Sequence, residues 1–274
     1  MKWAGKRVVI TGGASGLGFA IAKAVAGKGA SLVLTDVRAD ALSAAAGQLE
    51  ATGAQVQTAV VDVSDSEAVA AFAAQAADDG PVDMVVNNAG VAVGGVLADT
   101  PPKDWDWVVS VNLLGVAYGS HAFIPALRRD GGGVLVNIAS ASAFGGVPGL
   151  GAYEATKAAV LSLSETLEAE LRADHIQVHC VCPGFVPTGL MDEARFSSDV
   201  PDVRDKARRA LFPEGRHPDQ VAAALLKAID RKRFLVTVYP EGHAGRWFRG
   251  APEWIRGDLR QRILRKISGV VGSE

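Results

Sequence analysis

The chain begins with a junction that leaves its backbone little freedom. Arg7-Val-Val-Ile10 is a short β-branched run. It leads straight into TGGASGLG, Thr11 to Gly18, and Phe19-Ala-Ile-Ala-Lys-Ala-Val25 follows with apolar residues at helical spacing. Strand, glycine turn and helix are therefore expected in immediate succession. Glycines at 12, 16 and 18 let the backbone turn tightly and approach a bound group closely. The helix start adds unpaired N–H groups and a dipole that suit a pyrophosphate. An ordinary glycine turn looks the same locally, and the spacing departs from G-x-G-x-x-G, so the rest of the chain has to discriminate.

The alternation continues along the chain. Strands are expected at 7–11, 31–36, 55–60, 83–87, 133–138, 177–182 and 233–238, and helices at 16–28, 39–52, 66–79, 103–129, 152–173 and 218–231. Strands alternating with helices build a parallel sheet covered on both faces, with right-handed connections. The expectation is an α/β chain with a single-domain Rossmann fold: a doubly wound, seven-stranded parallel sheet with helices on both faces. Ligands of such sheets collect at the carboxyl ends of the strands, where Thr11, Asp36, Asp62, Asn88, Ser140 and Pro183 all fall. At 274 residues and 49% hydrophobic, the chain can bury a large undivided core.

Tyr153-Glu-Ala-Thr-Lys157 places a phenol and an ammonium one helical turn apart, and Ser140 lies upstream in NIASAS. A tyrosine hydroxyl has an ordinary pKa of about 10, so it must be made more acidic to take a proton from an alcohol at neutral pH. Residues four apart on a helix share a face, about 6 Å along the axis, so Lys157 can favour the phenolate. On a solvated helix face the same spacing means only polarity.

Together these segments resemble the short-chain dehydrogenase/reductase family, known for a T-G-x-x-x-G-x-G turn and a Y-x-x-x-K site. The resemblance continues through Asn87-Asn88-Ala89-Gly90 after the fourth strand, Asn112 in VSVNLLG, Ser140 at the family's offset, and Pro183-Gly184 with Thr188 after the sixth strand. It implies an NAD-dependent oxidoreductase that moves a hydride between nicotinamide and a secondary alcohol or ketone. In that chemistry Tyr153 is the base and Ser140 holds the substrate oxygen, with Ser142 as the alternative. Lys157 lowers the phenol pKa and grips the nicotinamide ribose. Asn112 holds an ordered water that links Lys157 to solvent; its plainer reading is a helix-interior amide bonded to backbone.

The resemblance assigns Gly12, Ser15, Gly16, Leu17 and Gly18 to the pyrophosphate turn. Asp62 and Val63 are assigned to the adenine, Asn88, Ala89 and Gly90 to the adenosine ribose wall, and Pro183, Gly184, Val186 and Thr188 to the nicotinamide. Asp36 closes the second strand, where a carboxylate can accept both ribose hydroxyls. It also opposes a 2′-phosphate, since like charges at about 4 Å repel by roughly 4 kcal/mol at an effective dielectric near 20. NAD is therefore expected over NADP, although Arg38 pulls the other way, and Asp36 also fits a plain strand-end turn.

A variable lid is expected at about 189–216. Met191, Phe196, Val200, Leu211 and Phe212, with Val93, Phe144, Val147 and Leu150, suggest an apolar cleft and a hydrophobic substrate. Arg195, Arg204, Arg208 and Arg209 fit either an anionic group or exposed charges on a lid helix. Residues 1–245 form the expected catalytic domain, and 246–274 a basic amphipathic extension. The extension suits an anionic membrane surface or, with greater weight, docking on protein. The family implies homodimers built from the helices at 103–129 and 152–173, often paired into homotetramers.

A net charge of −2 gives no overall footprint for nucleic acid, and no bilayer-spanning run or secretory leader is read, so a cytoplasmic location is expected. Cys180 and Cys182 lie two apart on a strand and are read as buried free thiols. His175 and His179 fall in or beside the same strand and share no metal site. The competing reading is a non-catalytic NAD-binding sensor or scaffold, which has no need of the phenol; an isomerase or dehydratase would carry a larger C-terminal substrate domain.

Overall fold

The central strands of the sheet are short, apolar and buried on both sides, so neighbouring residues pack on opposite layers, whereas the edge strand Val56–Val60 is largely exposed. The computed structural model describes residues 2–145, 149–184, 186, 190, 194–196, 217–238, 250, 252–255 and 257. The sheet strands are β1 (Arg7–Thr11), β2 (Ser31–Asp36), β3 (Val56–Val60), β4 (Met84–Asn87), β6 (Gly133–Ile138), β7 (Ile176–Cys182) and β9 (Leu235–Thr237). A second, two-stranded ladder joins β5 (Val93–Gly94) to β8 (Arg195–Phe196). The helices are α1 (Gly16–Ala26), α2 (Ala39–Glu50), α3 (Ser66–Asp78), α4 (Pro102–Val109), α5 (Gly115–Arg129), α6 (Gly151–Glu170) and α7 (Pro218–Asp230).

The seven-stranded sheet runs in the order β3-β2-β1-β4-β6-β7-β9, with every pair parallel. The chain winds outward from β1 to β3, then returns to place β4 on the other side of β1. That reversal opens the crevice where an open α/β sheet takes its ligand. Val8 and Ile10 face a layer made by Leu17, Ile21, Leu49 and Leu225, whereas Val9 between them faces Phe72, Phe123, Leu135 and Leu167. The continuous apolar strands therefore follow from burial on two faces.

Sequence periodicity predicts one helix over 103–129, but the structure interrupts it with a π turn at Ser110–Leu114. The described stretch Pro102–Arg129 is also long and apolar enough by composition for a membrane span. Here it covers the sheet: Phe123 and Leu127 are buried in the core. A buried polar chain fixes the cover. Asn87 Nδ2 donates to Asn137 Oδ1 at 2.9 Å and to Ser120 Oγ at 3.1 Å, and Asn137 Nδ2 donates to Ser164 Oγ at 3.0 Å. Because unpaired buried amides are costly, these bonds set α5 and α6 in register with β4 and β6.

Candidate active site

The glycine turn is laced to the end of β4 across the crevice. Thr11 Oγ1 accepts from the backbone N–H groups of Asn88 at 3.0 Å and Ala89 at 3.1 Å. Asn88 Nδ2 donates in return to the carbonyls of Thr11 at 2.9 Å and Gly12 at 3.0 Å. Gly12 and Gly16 hold φ of +63° and +56°, which side chains rarely adopt. A Cβ on Gly18 would lie 2.2 Å from the Gly12 carbonyl oxygen, so only glycine permits this closeness. Leu17 is anchored in the core, while α1 starts behind Ser15 with no side-chain cap on its N–H groups. Small residues, uncapped donors and a helix start fit the pyrophosphate of a dinucleotide.

Asp36 ends β2 beside this turn and is buried. Its Oδ1 accepts from Arg38 N and Nε, each at 3.1 Å, and its Oδ2 accepts from Ala14 N at 3.3 Å. Arg38 also donates to Ser15 Oγ at 2.9 Å, closing a loop of carboxylate, guanidinium and glycine turn. Proximity in sequence makes Arg38 only a nearby charge; the fold makes it a direct partner of Asp36. Asp62 turns back on itself, accepting from Ser64 N and Oγ at 2.9 and 2.7 Å, and Val63 packs under Gly115. Their side chains are thus already engaged.

Asn112 sits in the π turn, fully buried, with its amide wholly used. Its Oδ1 accepts from Val91 N at 2.8 Å, and its Nδ2 donates to Val91 O at 2.9 Å and Thr156 Oγ1 at 3.2 Å. It clamps the segment after Gly90 to α6. Gly90 itself fits between the two: a Cβ there would lie 3.2 Å from Asn112 Oδ1 and 3.4 Å from Lys157 Nζ. The side chain therefore matches the backbone-bonded reading, and Thr156 is the partner that sequence spacing did not reveal.

Lys157, on the buried side of α6, donates through Nζ to the Ile138 carbonyl at 3.0 Å and stands 5.8 Å from the Tyr153 ring centre. Burial lowers the Lys157 pKa to about 8, against the partial support of Cys180 and Cys182. Burial also pushes the Tyr153 phenol up to about 12, opposed by its hydrogen bond with Ser140. The direction is the reverse of the downward tuning inferred from the spacing, because loss of solvent outweighs the other contributions within the chain. Ser140 lies two residues past the end of β6, where its Oγ accepts from Ser142 N at 3.2 Å. Ser142 Oγ is buried, with no hydrogen-bond partner among the described residues.

Behind this group lie the two thiols, free and fully buried. Their mutual hydrogen bond, with burial, pushes the Cys182 thiol up. His179 lies within β7, its Nδ1 paired with the Arg233 carbonyl at 2.8 Å. Pro183 is buried at the strand end, where its carbonyl accepts from Ala141 N at 2.7 Å, with Gly184 and Val186 following. Thr188, Val147, Met191, Val200, Leu211, Phe212, Arg204, Arg208 and Arg209 lie outside the described residues, as does most of 246–274.

Two expectations about the cleft are corrected. Phe144 does not line it but packs with Val160, Leu161 and Cys182 beneath α6. Arg195 is not on a lid helix: it forms β8, donates to Asp104 at 3.0 Å and stacks on Trp107 with 3.8 Å between guanidinium and ring centre.

A glycine cradle at the sheet reversal and a helix, α6, that carries Tyr153 and Lys157 one turn apart now stand together on one chain. The family model for short chain dehydrogenase matches residues 6–198, and the chain belongs to that family. It is 35% identical over 266 residues to "Probable oxidoreductase EphD" of Mycobacterium tuberculosis, an alignment that spans 94% of this chain but 45% of that protein. The chain thus covers less than half the length of this relative. A short chain dehydrogenase/reductase from Burkholderia phymatum in complex with NAD superposes with a TM-score of 0.85 at 35% identity, covering 90% of this chain and 94% of that one. An alcohol dehydrogenase from Thermococcus sibiricus complexed with 5-hydroxy-NADP gives 0.71 at 30% identity, covering 82% and 90%.

Proposed function

We propose that the chain interconverts a secondary alcohol and its ketone, the carbinol carrying apolar groups, with NAD preferred over NADP. The observation that carries this reading is the Tyr153 phenol hydrogen-bonded to Ser140, with the Lys157 ammonium pinned beside it. The dinucleotide, when bound, supplies the hydride acceptor or donor. Gly12, Ser15, Gly16 and Gly18 would hold its pyrophosphate, Asp36 its adenosine ribose, and Pro183, Gly184 and Val186 its nicotinamide end.

The chain's own residues manage the proton. Ser140 holds the substrate oxygen by a hydrogen bond that strengthens as charge grows there. Tyr153 gives its hydroxyl proton to that oxygen in reduction and takes it in oxidation; burial keeps the phenol in its protonated form at neutral pH, and the charge of Lys157 has to offset the weaker acidity. Lys157 adds positive charge next to the phenol and favours the phenolate when the proton leaves.

A homodimer accompanies this reading. On α6 Ser162 and Glu165 are exposed, and with Ala158, Leu161, Phe144 and Phe234 they line a groove of about 710 Å³ that a second copy would cover. Light scattering of the purified protein reads the mass directly. The reaction is tested by following reduced nicotinamide with a panel of secondary alcohols and ketones and both coenzymes. Coenzyme binding without turnover of any of them would favour a sensor instead.

A further inference from the structure

Tyr153 lies in the first turn of α6, the part of a helix whose leading N–H groups find no partner within it and which frays most readily. Leu150, at the cap position, offers that turn no side-chain bond. What holds the turn comes from outside the helix. Ala152 packs with Val93 and Val108, Gly149 O accepts from Gly95 N at 2.8 Å, and Lys157, four residues past Tyr153, donates to the Ile138 carbonyl. None of these contacts reaches the backbone of Tyr153 itself.

Thr156 does, and its hydroxyl works in both directions. Oγ1 donates to the Tyr153 carbonyl at 2.7 Å and accepts from Asn112 Nδ2 at 3.2 Å. Threonine suits the place because its hydroxyl can reach back along a helix to the carbonyl three residues earlier, while the branched β-carbon restricts its rotamers. Thr156 is 1% exposed and Asn112 fully buried, so solvent does not compete for these bonds, and hydrogen bonds in such a site are stronger and polarise one another. Asn112 is fixed in turn by Val91 N at 2.8 Å and Val91 O at 2.9 Å. A continuous chain therefore runs from the Val91 backbone, through one amide and one hydroxyl, to the backbone of the residue that carries the phenol. Valine or alanine at 156 would leave the helix in place and break that chain at its last link.

We propose that Thr156 is a positioning residue for the proton transfer: its hydroxyl passes the fixed place of Asn112 to the backbone of Tyr153 and so holds the phenol in register with Ser140. The assignment rests on the dehydrogenase reading above. It gives the buried π turn a part in the chemistry, since Asn112 then acts on Tyr153 without touching it.

The test compares wild type with Thr156→Val, Thr156→Ser and Thr156→Ala, each also in a Tyr153→Phe background, on cyclohexanol and phenyl methyl carbinol with NAD and on their two ketones with NADH. Urea unfolding establishes that each variant is folded under assay conditions. Thr156→Val keeps the shape and removes the hydroxyl, so kcat should fall by about tenfold or more, as it does when a reacting group is misplaced, with KM and coenzyme Kd within about twofold of wild type. Thr156→Ser keeps the hydroxyl and should recover most of the turnover. The contrast of serine with alanine reads the same hydroxyl if valine is not accommodated. In the Tyr153→Phe background no phenol remains to be placed, and Thr156→Val should lower single-turnover rates by about twofold or less. A wild-type kcat in both Thr156→Val and Thr156→Ala would overturn the assignment, and so would an equal loss with and without the Tyr153 hydroxyl, the mark of a purely structural role; either result leaves the dehydrogenase reading intact. A wild-type protein that binds coenzyme but turns over none of the four compounds would end both.

Discussion

The ammonium of Lys157 is bonded to the carbonyl of Ile138, two residues before Ser140, at 3.0 Å. A single charged group thus ties the helix that carries Tyr153 to the strand that delivers Ser140, and its protonation state bears on both.

Burial lowers Lys157 to about 8 and raises Tyr153 to about 12. Below about 8 the lysine is charged and the phenol protonated, the state that ketone reduction uses. Above it the ammonium is lost, and with it both the support for phenolate and the donor to Ile138. Reduction is expected to hold steady through neutral pH and fall on the alkaline side, near the Lys157 value. Lys157→Arg should move that fall upward, since a guanidinium stays charged. A kcat profile against pH for both proteins checks it, and an identical falling limb would remove Lys157 from the account.

Tyr153→Phe removes the proton carrier and little volume. Turnover should drop by about 10²–10⁴-fold, the range of a positioned acid or base. Loss of one hydroxyl contact should change coenzyme Kd by about tenfold or less. Stopped-flow single turnover and equilibrium titration separate the two, and full activity in the variant would contradict the assigned role.

Asp36 and Arg38 set opposite charges where the adenosine ribose is expected, 3.1 Å apart. Asp36→Asn removes the repulsion of a 2′-phosphate, worth roughly 4 kcal/mol at about 4 Å and an effective dielectric near 20 before solvent screening. NADP should then gain on NAD by about tenfold or more. Arg38→Ala should shift preference the opposite way, leaving the carboxylate uncompensated. The ratio of kcat/KM values for the two coenzymes reports both, and parallel shifts would show that the pair does not discriminate.

Asn112→Ala strips three hydrogen bonds from a fully buried site and orphans the Val91 N–H and C=O. Each orphaned group costs about 1–3 kcal/mol, so urea unfolding should show a loss of several kcal/mol. Asn112→Asp keeps the acceptor for Val91 N and should recover part of the loss. Equal destabilisation in both variants would mean that packing, not hydrogen bonding, matters at this position.

Much of the architecture was readable beforehand because strands buried on two faces leave plain apolar runs: Val8-Val9-Ile10 and Leu32-Val33-Leu34 need no tertiary knowledge. The π turn left no trace in the pattern, since Val108, Val109, Val111 and Leu113 continue the apolar run through it. Nor did β5 and β8, where two residues each, one of them glycine, carry no periodicity. Phe144 was misplaced because one apolar residue after a strand does not say which layer receives it. The Asp36–Arg38 bond and the Arg195–Asp104 bond depend on turns and distant contacts that residue identity alone does not encode.

The wide turn at Ser110–Leu114 makes the length of this stretch of chain a heritable constraint. Removing one residue ahead of it, with the wide turn kept, would swivel everything after it by about 100°. Val116, Phe123 and Leu127 would then leave the sheet together, and Asn112 would lose Val91. Related chains that keep the chemistry should keep Asn112 and the count of residues here while the other residue types vary, whereas exposed connections elsewhere can lengthen or shorten without disturbing what they join.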